Sequence, residues 1–329
     1  MAGTPQPTAG TSQKVLVIKL SALGDVLIAL GAMAAIRRHH ADAHITFLTT
    51  RPFADMAQRS GYFNTVEVIT RARFFELGTW LRLSKFLNAG KFDIVYDLQM
   101  NGRSGFYYKL MRKKPVWSGI VGPAPHNYAL ENPDWRQMHA FERHKVMLAQ
   151  QGIDMALPDI NWMCTDVSLL LPPSPYVLMM PGCAPQHQYK RWPATKFAAI
   201  ALKLQRQGYH VALIGTAAEH DAISKIKSVA PECFDLSGRT SLYDIATLAM
   251  GASGAVGNDT GPSHLVALAG CPIVTLFSGV TDPALSAPVG DAVTVIQAED
   301  IADITVDDVM KALRLRDIKP DIAKTGAQV

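Results

Sequence analysis

The sequence predicts an α/β protein with two Rossmann-like domains that face each other across a cleft. The chain has 329 residues, more than the roughly 250–300 at which single hydrophobic cores stop growing. Strand-like and helix-like patterns alternate along almost its whole length. The alternation also restarts after a proline-rich stretch containing Pro172, Pro173 and Pro175, which indicates a second domain.

The hydrophobic pattern divides each half of the chain into alternating elements. In the first half, the predicted strands are 14–20, 45–49, 65–69 and 92–98, and the predicted helices are 25–40, 53–60 and 77–89. In the second half, the strands are 176–180, 210–214, 254–257 and 273–277, and the helices are 196–207, 221–228, 242–250 and 264–269. Apolar strands that alternate with helices form parallel sheets covered on both faces. We therefore expect a disordered tail at 1–13, domains at 14–170 and 171–316, and a second tail at 317–329.

Composition excludes several classes of protein. The four cysteines lie far apart without a C-x-x-C pair, which argues against a disulfide framework or a zinc site and fits a reducing compartment. No apolar run reaches the roughly 18 residues of a membrane span, and no signal-peptide pattern begins the sequence. The net charge of +4 comes without a basic and aromatic run typical of nucleic-acid binding. We therefore expect a cytoplasmic protein without a nucleic-acid partner.

The first candidate loop joins the first predicted strand to the first predicted helix. Gly24 permits a tight turn and a close approach of the backbone, and Asp25 follows it at the helix start. Ligands of Rossmann-like folds bind outside the carboxyl ends of the strands, so Asp25 would lie at the mouth of the cleft. Its carboxylate would act either as a helix cap or as a general base toward a hydroxyl nucleophile.

The second candidate loop follows the predicted strand 176–180. Gly182 gives the backbone freedom there, and Lys190 and Arg191 precede a Trp-Pro pair that begins the next helix. The two cations would be either solvated surface side chains or phosphate ligands. Because this loop leaves the carboxyl edge of a sheet, Lys190 is a candidate for holding phosphate oxygens as a compact charge.

The third candidate loop, at 257–264, contains Asp259, Thr260, Gly261 and His264. Its proline in the first helical turn and its glycine leave backbone N–H groups at the positive end of a helix, where anions bind without a metal. Asp259 and Thr260 would also supply turn and capping contacts. A histidine such as His264, taken alone, is more often a packed side chain than a ligand.

Sequence signals for a metal or another kind of nucleotide site are missing. No G-x-x-x-x-G-K-[ST] loop occurs, and no G-x-G-x-x-G follows the first strand. The two cleft loops contain no Asp-x-Asp, and no two of the ten histidines have metal-ligand spacing in a plausible pocket. We therefore expect no metal and no cofactor, with a diphosphate neutralised by Lys190 and a helix N-terminus.

Five segments, in family order, resemble glycosyltransferase family 9, whose best-known members are the lipopolysaccharide heptosyltransferases. The segments are KLSALGDVLIAL, FDIVYDLQMNGRSG, HAFERHKVMLAQQGI, YKRWP and NDTGPSHLVALAGCPIVTLFSGVTDP, and the resemblance covers roughly residues 14–315. It implies the GT-B fold, with an acceptor-binding first domain and a second domain that binds a nucleotide sugar.

The resemblance also implies roles for individual residues. Asp25 would be the catalytic base, and Lys190 would contact the donor phosphate. The implied donor-binding set is Gly24, Gly182, Lys190, Glu219 at the ribose, Thr240 beside the adenine, Asp259, Thr260, Gly261 and His264. Apart from the resemblance, five arginines would form an acceptor-facing basic patch suited to phosphorylated lipid-linked sugars, with Arg51 and Arg103 binding the acceptor: Arg51, Arg59, Arg71, Arg73 and Arg103. The alternative for the first four is a scattered solvated surface.

The implied function is an inverting, metal-independent transfer of heptose from ADP-heptose to a lipopolysaccharide core or a related lipid-linked glycan. Its partners would be the nucleotide sugar and a lipid-linked saccharide at the inner face of the plasma membrane. Three alternatives remain at this point: a GT-B transferase for another nucleotide sugar, a nucleotide-sugar 2-epimerase and a non-catalytic nucleotide-binding scaffold. The presence of both Asp25 and Lys190 speaks against a scaffold, which needs neither.

Overall fold

The structure, a computed structural model, describes residues 12–70, 76–120 and 134–317. The chain forms two compact units, Met1–Pro158 and Asp159–Val329. The tails expected at 1–13 and 317–329 lie mostly outside the described residues. At the inner end of the first tail, His44 N donates to Gln13 O at 2.8 Å and Ser12 Oγ donates to Asp42 O at 2.7 Å. Ser12 and Gln13 are therefore bonded to the first unit.

The first unit contains a parallel sheet of five strands in the order β3-β2-β1-β4-β5. Its elements are β1 (Lys14–Ile18), α1 (Leu23–Ile28), α2 (Leu30–His39), β2 (His44–Thr49), α3 (Ala54–Arg59), β3 (Thr65–Val68), α4 (Leu77–Gly90), β4 (Ile94–Asp97), α5 (Gly102–Leu110), β5 (Val116–Ser118) and α6 (Ala140–Ala149). Because all pairs are parallel, the strands end at one edge of the sheet, which we call the carboxyl edge. β1 is central, so the loops after β2 and β4 flank the loop after β1 at this edge.

The central strand β1 shows that both faces of the sheet are buried. Its residues Val15, Leu16, Val17 and Ile18 are all fully buried, and neighbouring side chains in a strand point to opposite faces. The sheet is therefore covered on both sides, as the apolar pattern predicts. The helix predicted at 25–40 is instead two helices, since the chain leaves regular helical geometry at Ala29 between α1 and α2.

The second unit contains a parallel sheet of six strands in the order β11-β10-β9-β6-β7-β8. Its elements are β6 (Tyr176–Met180), α7 (Ala194–Arg206), β7 (His210–Leu213), α8 (His220–Val229), β8 (Phe234–Asp235), α9 (Leu242–Gly251), β9 (Gly254–Asn258), α10 (Gly261–Leu268), β10 (Ile273–Ser278), α11 (Pro283–Ser286), β11 (Val293–Ala298) and α12 (Val306–Ala312). Short 3-10 helices occur at Arg51–Phe53, Trp135–Gln137, Asn161–Met163, Pro185–Lys190, Ala217–Glu219 and Ile301–Asp303. In each half, a helix generally follows each strand, which confirms the predicted α/β class.

The boundary between the units lies before the proline cluster that marked it in the sequence. Residues 159–170, which were assigned to the first domain, belong to the second unit. Met163 is fully buried, and Thr165 N donates to Thr247 Oγ1 at 2.9 Å. These packing and hydrogen-bond partners place the segment in the second unit, whereas the prolines mark only an irregular stretch inside it.

Arg316 links the end of the described chain to two helices of the second unit. Its guanidinium donates to four backbone carbonyl oxygens near the ends of α9 and α10, those of Ala249, Met250, Ala252 and Gly270, at 2.8–3.0 Å. Its backbone N also donates to Ser253 O at 2.9 Å. Arg316 therefore satisfies carbonyl groups that a helix end leaves without intrahelical partners.

None of the helices in residues 12–70, 76–120 and 134–317 combines the length and the apolar character needed to cross a membrane.

Candidate active site

The first candidate loop places Asp25 in the first turn of α1. Asp25 Oδ2 accepts from Ala22 N at 3.0 Å, whereas Ala22, the N-cap residue, makes no side-chain capping hydrogen bond. The capping contact considered for Asp25 is therefore present. Within the described part of the chain, no donor is bonded to Asp25 Oδ1, and the side chain is partly exposed. One carboxylate oxygen thus holds the turn while the other is not bonded to a described donor, so capping and proton transfer are compatible.

Side chains from the two neighbouring strand ends hold this turn. Gln99, after β4, accepts with Oε1 from Leu20 N at 2.8 Å and from Ser21 N at 3.2 Å. Thr50, after β2, donates with Oγ1 to Leu20 O at 2.8 Å. Gln99 is not among the site residues predicted from the sequence, although it lies in a segment that carries the family resemblance. The turn before Asp25 is therefore braced from both sides.

The predicted acceptor arginines lie at the same carboxyl edge. Arg51 is exposed at the start of a 3-10 helix after β2, and Arg103 is exposed in the first turn of α5 after β4. Arg59 lies on α3 in an exposed ion pair with Asp55 at 3.2 Å. Arg71 and Arg73 lie outside the described residues. Arg51 and Arg103 thus come from the two loops that flank the Asp25 turn.

A buried polar cluster lies at the base of these loops. Lys19 Nζ donates to Leu98 O at 3.1 Å, and burial lowers the pKa of Lys19 to about 8. Burial raises the pKa of the fully buried Asp97 carboxyl to about 6, although Ser104 Oγ donates to it at 2.8 Å. His144 Nε2 lies 3.1 Å from the same Leu98 O, and burial lowers the pKa of His144 to about 3. The cluster fixes the β4 loop against the end of β1.

The second and third candidate loops meet in the second unit. Lys190 Nζ lies 2.5 Å from Asp259 Oδ2, and the two side chains are 17% and 8% exposed. His264 Nε2 is 4.0 Å from Asp259 Oδ1, too far for a hydrogen bond. The lysine proposed as a phosphate ligand is therefore held by a carboxylate of the donor loop and keeps a partly exposed face. Both residues are predicted from the sequence, but their ion pair is not.

Asn258 connects these loops and was not identified from the sequence. Its side chain is fully buried. Nδ2 donates to Pro181 O at 2.8 Å, and Oδ1 accepts from Trp192 N at 3.2 Å. Ser263 Oγ donates to Asn258 O at 2.7 Å. The side-chain amide of Asn258 therefore connects the loop after β6 to the segment before α7, and its backbone carbonyl holds the donor loop.

Gly182 and Glu219 are packed together. A Cβ at Gly182 would lie 2.2 Å from Glu219 Cγ, so the space that a side chain would fill belongs to the glutamate. Glu219 Oε2 accepts from Thr216 N and Thr216 Oγ1, both at 2.7 Å. Gly182 is thus required by a close approach, and Glu219 is held in one position after β7.

The remaining predicted donor residues occupy the same edge. Thr260 is the N-cap of α10 but makes no capping hydrogen bond with its side chain, and Gly261 begins the helix. Thr240 lies after β8 and its Oγ1 is buried without a hydrogen-bond partner among the described residues. The structure brings Lys190, Asp259 and His264 together, whereas no hydrogen bond joins Thr240 Oγ1 to them in the described chain.

The strand order explains this arrangement. Gly24 lies in α1 of the first unit, whereas the other predicted donor residues lie in the second unit. These others follow β9, β6, β7 and β8, which are consecutive neighbours in the sheet. They form a row along the carboxyl edge, the usual ligand-binding edge of such sheets. Within the described residues, no group of three or more His, Cys, Asp or Glu side chains is arranged to hold a metal ion.

Two Rossmann-like α/β domains with candidate ligand loops at the carboxyl edges define a protein of the GT-B class. Residues 80–312 match the family described as glycosyltransferase family 9 (heptosyltransferase). The chain belongs to this family and is a glycosyltransferase. This result favours a transferase over the 2-epimerase and the scaffold among the alternatives.

Relatives across most of the chain carry names from the same family. Lipooligosaccharide heptosyltransferase 2 of Haemophilus influenzae is 25% identical over 321 residues, covering 86% of this chain and 88% of the relative. Lipopolysaccharide heptosyltransferase 1 of Pseudomonas aeruginosa is 27% identical over 294 residues, covering 84% and 81%. The structure of E. coli heptosyltransferase WaaC with ADP matches with a TM-score of 0.72 at 22% identity, covering 91% of this chain and 98% of that one. The structural likeness supports the fold.

Proposed function

We propose that this glycosyltransferase moves a heptose from ADP-heptose to a saccharide of the lipopolysaccharide core, or of a related lipid-linked glycan, with inversion and without a metal. The Lys190–Asp259 pair beside the first turn of α10 carries the proposal, because it offers a cation and helix N–H groups at one ligand-binding edge. The relatives' names support heptose transfer to lipopolysaccharide, and the presence of ADP with WaaC supports an adenine nucleotide.

The second unit would bind the donor. Lys190 and the backbone of the Thr260–Gly261 turn would hold the diphosphate and stabilise the charge that develops on it as the sugar departs. Glu219 would bind the ribose hydroxyls, and Thr240, one strand further along the edge, would flank the adenine. Gly182 would contribute to donor binding by leaving room for the Glu219 side chain, and His264 would lie at the base of the phosphate site.

The first unit would supply the base and bind the acceptor. Asp25 Oδ1 would take the proton from an acceptor hydroxyl while Oδ2 keeps its bond to the turn. The hydroxyl oxygen forms a bond to the anomeric carbon as the bond from that carbon to the diphosphate oxygen breaks. Attack opposite the leaving group inverts the anomeric centre and releases ADP. Arg51 and Arg103 would contact an anionic acceptor.

The acceptor chemistry leads to a proposed location. A lipid-linked saccharide would meet this protein at the inner face of the plasma membrane, where a net charge of +4 favours an anionic surface. We therefore propose a cytoplasmic enzyme that works at that surface, with no nucleic-acid partner.

Nucleotide binding tests the donor assignment. Calorimetry should show ADP binding at least about tenfold tighter than UDP or GDP, equivalent to about 1.4 kcal/mol, and weakening in high salt. Equal affinities for ADP and UDP would leave a sugar transferase but remove the ADP-heptose assignment. That result would favour the GT-B transferase for another nucleotide sugar.

Chelation tests the absence of a metal. Transfer from ADP-heptose should continue in excess EDTA, because a lysine and a helix N-terminus supply the positive charge. Loss of activity that magnesium or manganese restores would contradict this account. A parallel measurement of ADP affinity in EDTA separates a metal needed for binding from one needed for the reaction.

A further inference from the structure

The loop between β6 and α7 carries Lys190, and both of its ends are bonded to one side chain. We call residues 181–192 the lysine loop. Asn258, the last residue of β9, donates with Nδ2 to Pro181 O at 2.8 Å and accepts with Oδ1 from Trp192 N at 3.2 Å. Because β9 is the neighbour of β6 in the sheet, this one carboxamide closes the loop at its base.

The two partners of Asn258 require a side chain with both a donor and an acceptor. A backbone carbonyl only accepts and a backbone N–H only donates, so the amide nitrogen must face Pro181 and the amide oxygen must face Trp192. Asn258 is fully buried, so solvent does not reach its side chain. Any effect of Asn258 on a ligand must therefore pass through the residues that it holds.

The next residue along the chain binds the lysine itself. Asp259 Oδ2 lies 2.5 Å from Lys190 Nζ, and Asp259 N donates to Leu276 O of β10 at 3.0 Å. Ser263 Oγ, in the first turn of α10, donates to Asn258 O at 2.7 Å. Two consecutive residues at the end of β9 therefore connect the ends of the lysine loop, its ammonium group and the first turn of α10.

The lysine loop also has hydrogen bonds of its own. Arg191 N donates to Gln188 O, and His187 N donates to Ala184 O, both at 2.9 Å. These local bonds shape the middle of the loop, whereas its attachment to β9 comes from Asn258 and from the Lys190–Asp259 pair. A change at Asn258 should therefore leave the turns of the loop intact and alter where its lysine lies.

We propose that Asn258 is a positioning residue, which keeps the Lys190 ammonium beside the first turn of α10 so that both act on the same diphosphate. A cation and helix N–H groups stabilise a developing charge best when they are already aligned on it. Without the amide, Pro181 O and Trp192 N lose their shared partner, and the loop is held to β9 mainly by the ion pair of Lys190. The role at a diphosphate rests on the proposed function, whereas the dependence of the Lys190 position on Asn258 does not.

Asn258→Ala removes the bridge, and the chain offers a matched control. Asn88, on α4 of the first unit, also bonds a backbone carbonyl and a backbone N–H, those of Leu110 and Arg112, at 2.9 and 2.8 Å. Asn88→Ala should therefore also lower the temperature of thermal unfolding, but without an effect on nucleotide binding. Asn258→Ser, whose shorter side chain carries a single hydroxyl group, is the second variant if Asn258→Ala does not fold.

Calorimetry of the full-length protein with ADP and with AMP measures the effect on the ligand. Asn258→Ala should weaken ADP at least about fivefold, within the range for residues coupled in one network, and AMP less than about twofold. In the Lys190→Ala background, the same substitution should change ADP affinity less than about twofold, because no ammonium is left to position. Asn88→Ala should change neither affinity by more than about twofold.

Three results would overturn the positioning role. They are an equal loss of ADP and AMP affinity in Asn258→Ala, an undiminished loss in the Lys190→Ala background, and an equal loss of ADP affinity in Asn88→Ala. If Lys190→Ala by itself leaves ADP affinity unchanged, the phosphate site of the proposed function fails instead.

NMR of the lysine side chain tests the positioning without any nucleotide. The two Hε protons of Lys190 should have separate chemical shifts in the wild type, because the ion pair with Asp259 holds the side chain. They should move together in Asn258→Ala and remain separate in Asn88→Ala. Separate shifts in Asn258→Ala would mean that Lys190 is held without the amide, and the proposal would then be wrong whatever the result for ADP.

Discussion

Each unit has a lysine at the carboxyl edge of its sheet, and the two lysines differ in their bonding partner and their exposure. In the first unit, Lys19 is 5% exposed and bonds a neutral carbonyl, and burial lowers its pKa to about 8. In the second unit, the Lys190 side chain is 17% exposed and pairs with a carboxylate. The first lysine is enclosed and fixes loops, whereas the second keeps a face that a ligand can reach. Both lysines lie at strand ends, so this position alone does not show what a lysine does. Its bonding partner and its exposure distinguish a lysine that fixes loops from one that could bind a ligand.

The largest expected effect lies in the first unit. Asp25→Asn should reduce kcat at least about 100-fold, a typical general-base contribution, while ADP affinity stays within about twofold, or 0.4 kcal/mol. The amide can still accept from Ala22 N, so the turn should persist. Steady-state kinetics and calorimetry measure the two quantities. Asp55→Asn, on an exposed part of α3, is the control. If Asp25→Asn keeps more than about a third of the wild-type turnover, the base assignment is wrong.

The next effect belongs to the second unit. Lys190→Ala should weaken ADP by roughly 1.5–3 kcal/mol, the range for a hydrogen bond to a charged group, and AMP much less. Part of this loss comes from leaving the Asp259 carboxylate without its partner and close to the diphosphate. The double variant Lys190→Ala/Asp259→Asn should therefore bind ADP more tightly than Lys190→Ala.

Calorimetry on the four proteins of this cycle gives the coupling between the two side chains. Lys203→Ala is the matched control, because Lys203 forms an exposed pair with Asp307 at 2.7 Å in the same unit. Unchanged ADP affinity in Lys190→Ala would move the phosphate site elsewhere, with Arg191 the first residue to test.

A smaller effect tests the close approach in the second unit. Gly182→Ala should destabilise the protein by about 1–3 kcal/mol, the usual cost of overpacking, because the new Cβ would meet Glu219 Cγ at 2.2 Å. Thermal unfolding measures this change. Gly78→Ala, where nothing lies within 4 Å of an added Cβ, should not destabilise. If Gly182→Ala/Glu219→Ala is no more stable than Gly182→Ala, the clash is not the cause.

The smallest effect concerns the buried cluster of the first unit. Burial lowers the pKa of His144 to about 3, so between pH 6.5 and 3 the unfolded chain binds a proton there that the native state does not. The unfolding free energy then falls as pH falls, by at most about 1.4 kcal/mol per pH unit from this group. The pKa of Asp97 is raised to about 6. Between this pH and the pKa of Asp97 in the unfolded chain, its protonation therefore increases the unfolding free energy as pH falls. His40, with its pKa lowered to about 4 by burial, adds to the loss.

His144→Gln should therefore reduce the loss of stability between pH 7 and pH 5, and Asp97→Asn should increase it. Hydrogen exchange of the β1 amides at the two pH values reports on this unit directly. The exposed His220 supplies the control, His220→Gln. Identical pH dependence in wild type and His144→Gln would show that His144 is not buried in its neutral form.

Much of the fold could be predicted because long apolar strands and amphipathic helices leave periodic patterns. β4, for example, lies at Ile94–Asp97 inside the predicted strand 92–98. Short strands such as β5 and β8, with three and two residues, are too brief to show a period. α5 was also missed, because its sequence GRSGFYYKL has only a weak apolar face.

The site could be predicted as a set of residues but not as a set of contacts. The candidate residues follow strands in the sequence, and their loops were found for that reason. Lys190 and Asp259 are 69 residues apart, and their pairing depends on β6 and β9 being neighbours in the sheet. Asn258 and Gln99 act through backbone partners that no sequence spacing identifies. Their roles follow only from the strand order.

The contacts of Arg316 set a limit for shortening the protein. A chain that ends at residue 315 would lose four charge-assisted hydrogen bonds and leave the corresponding carbonyl groups at the ends of α9 and α10 without this donor. A chain that ends at residue 317 would keep them all. Because the opposite end of α10 begins the proposed phosphate site, trimming by only these two residues would loosen the helix behind that site.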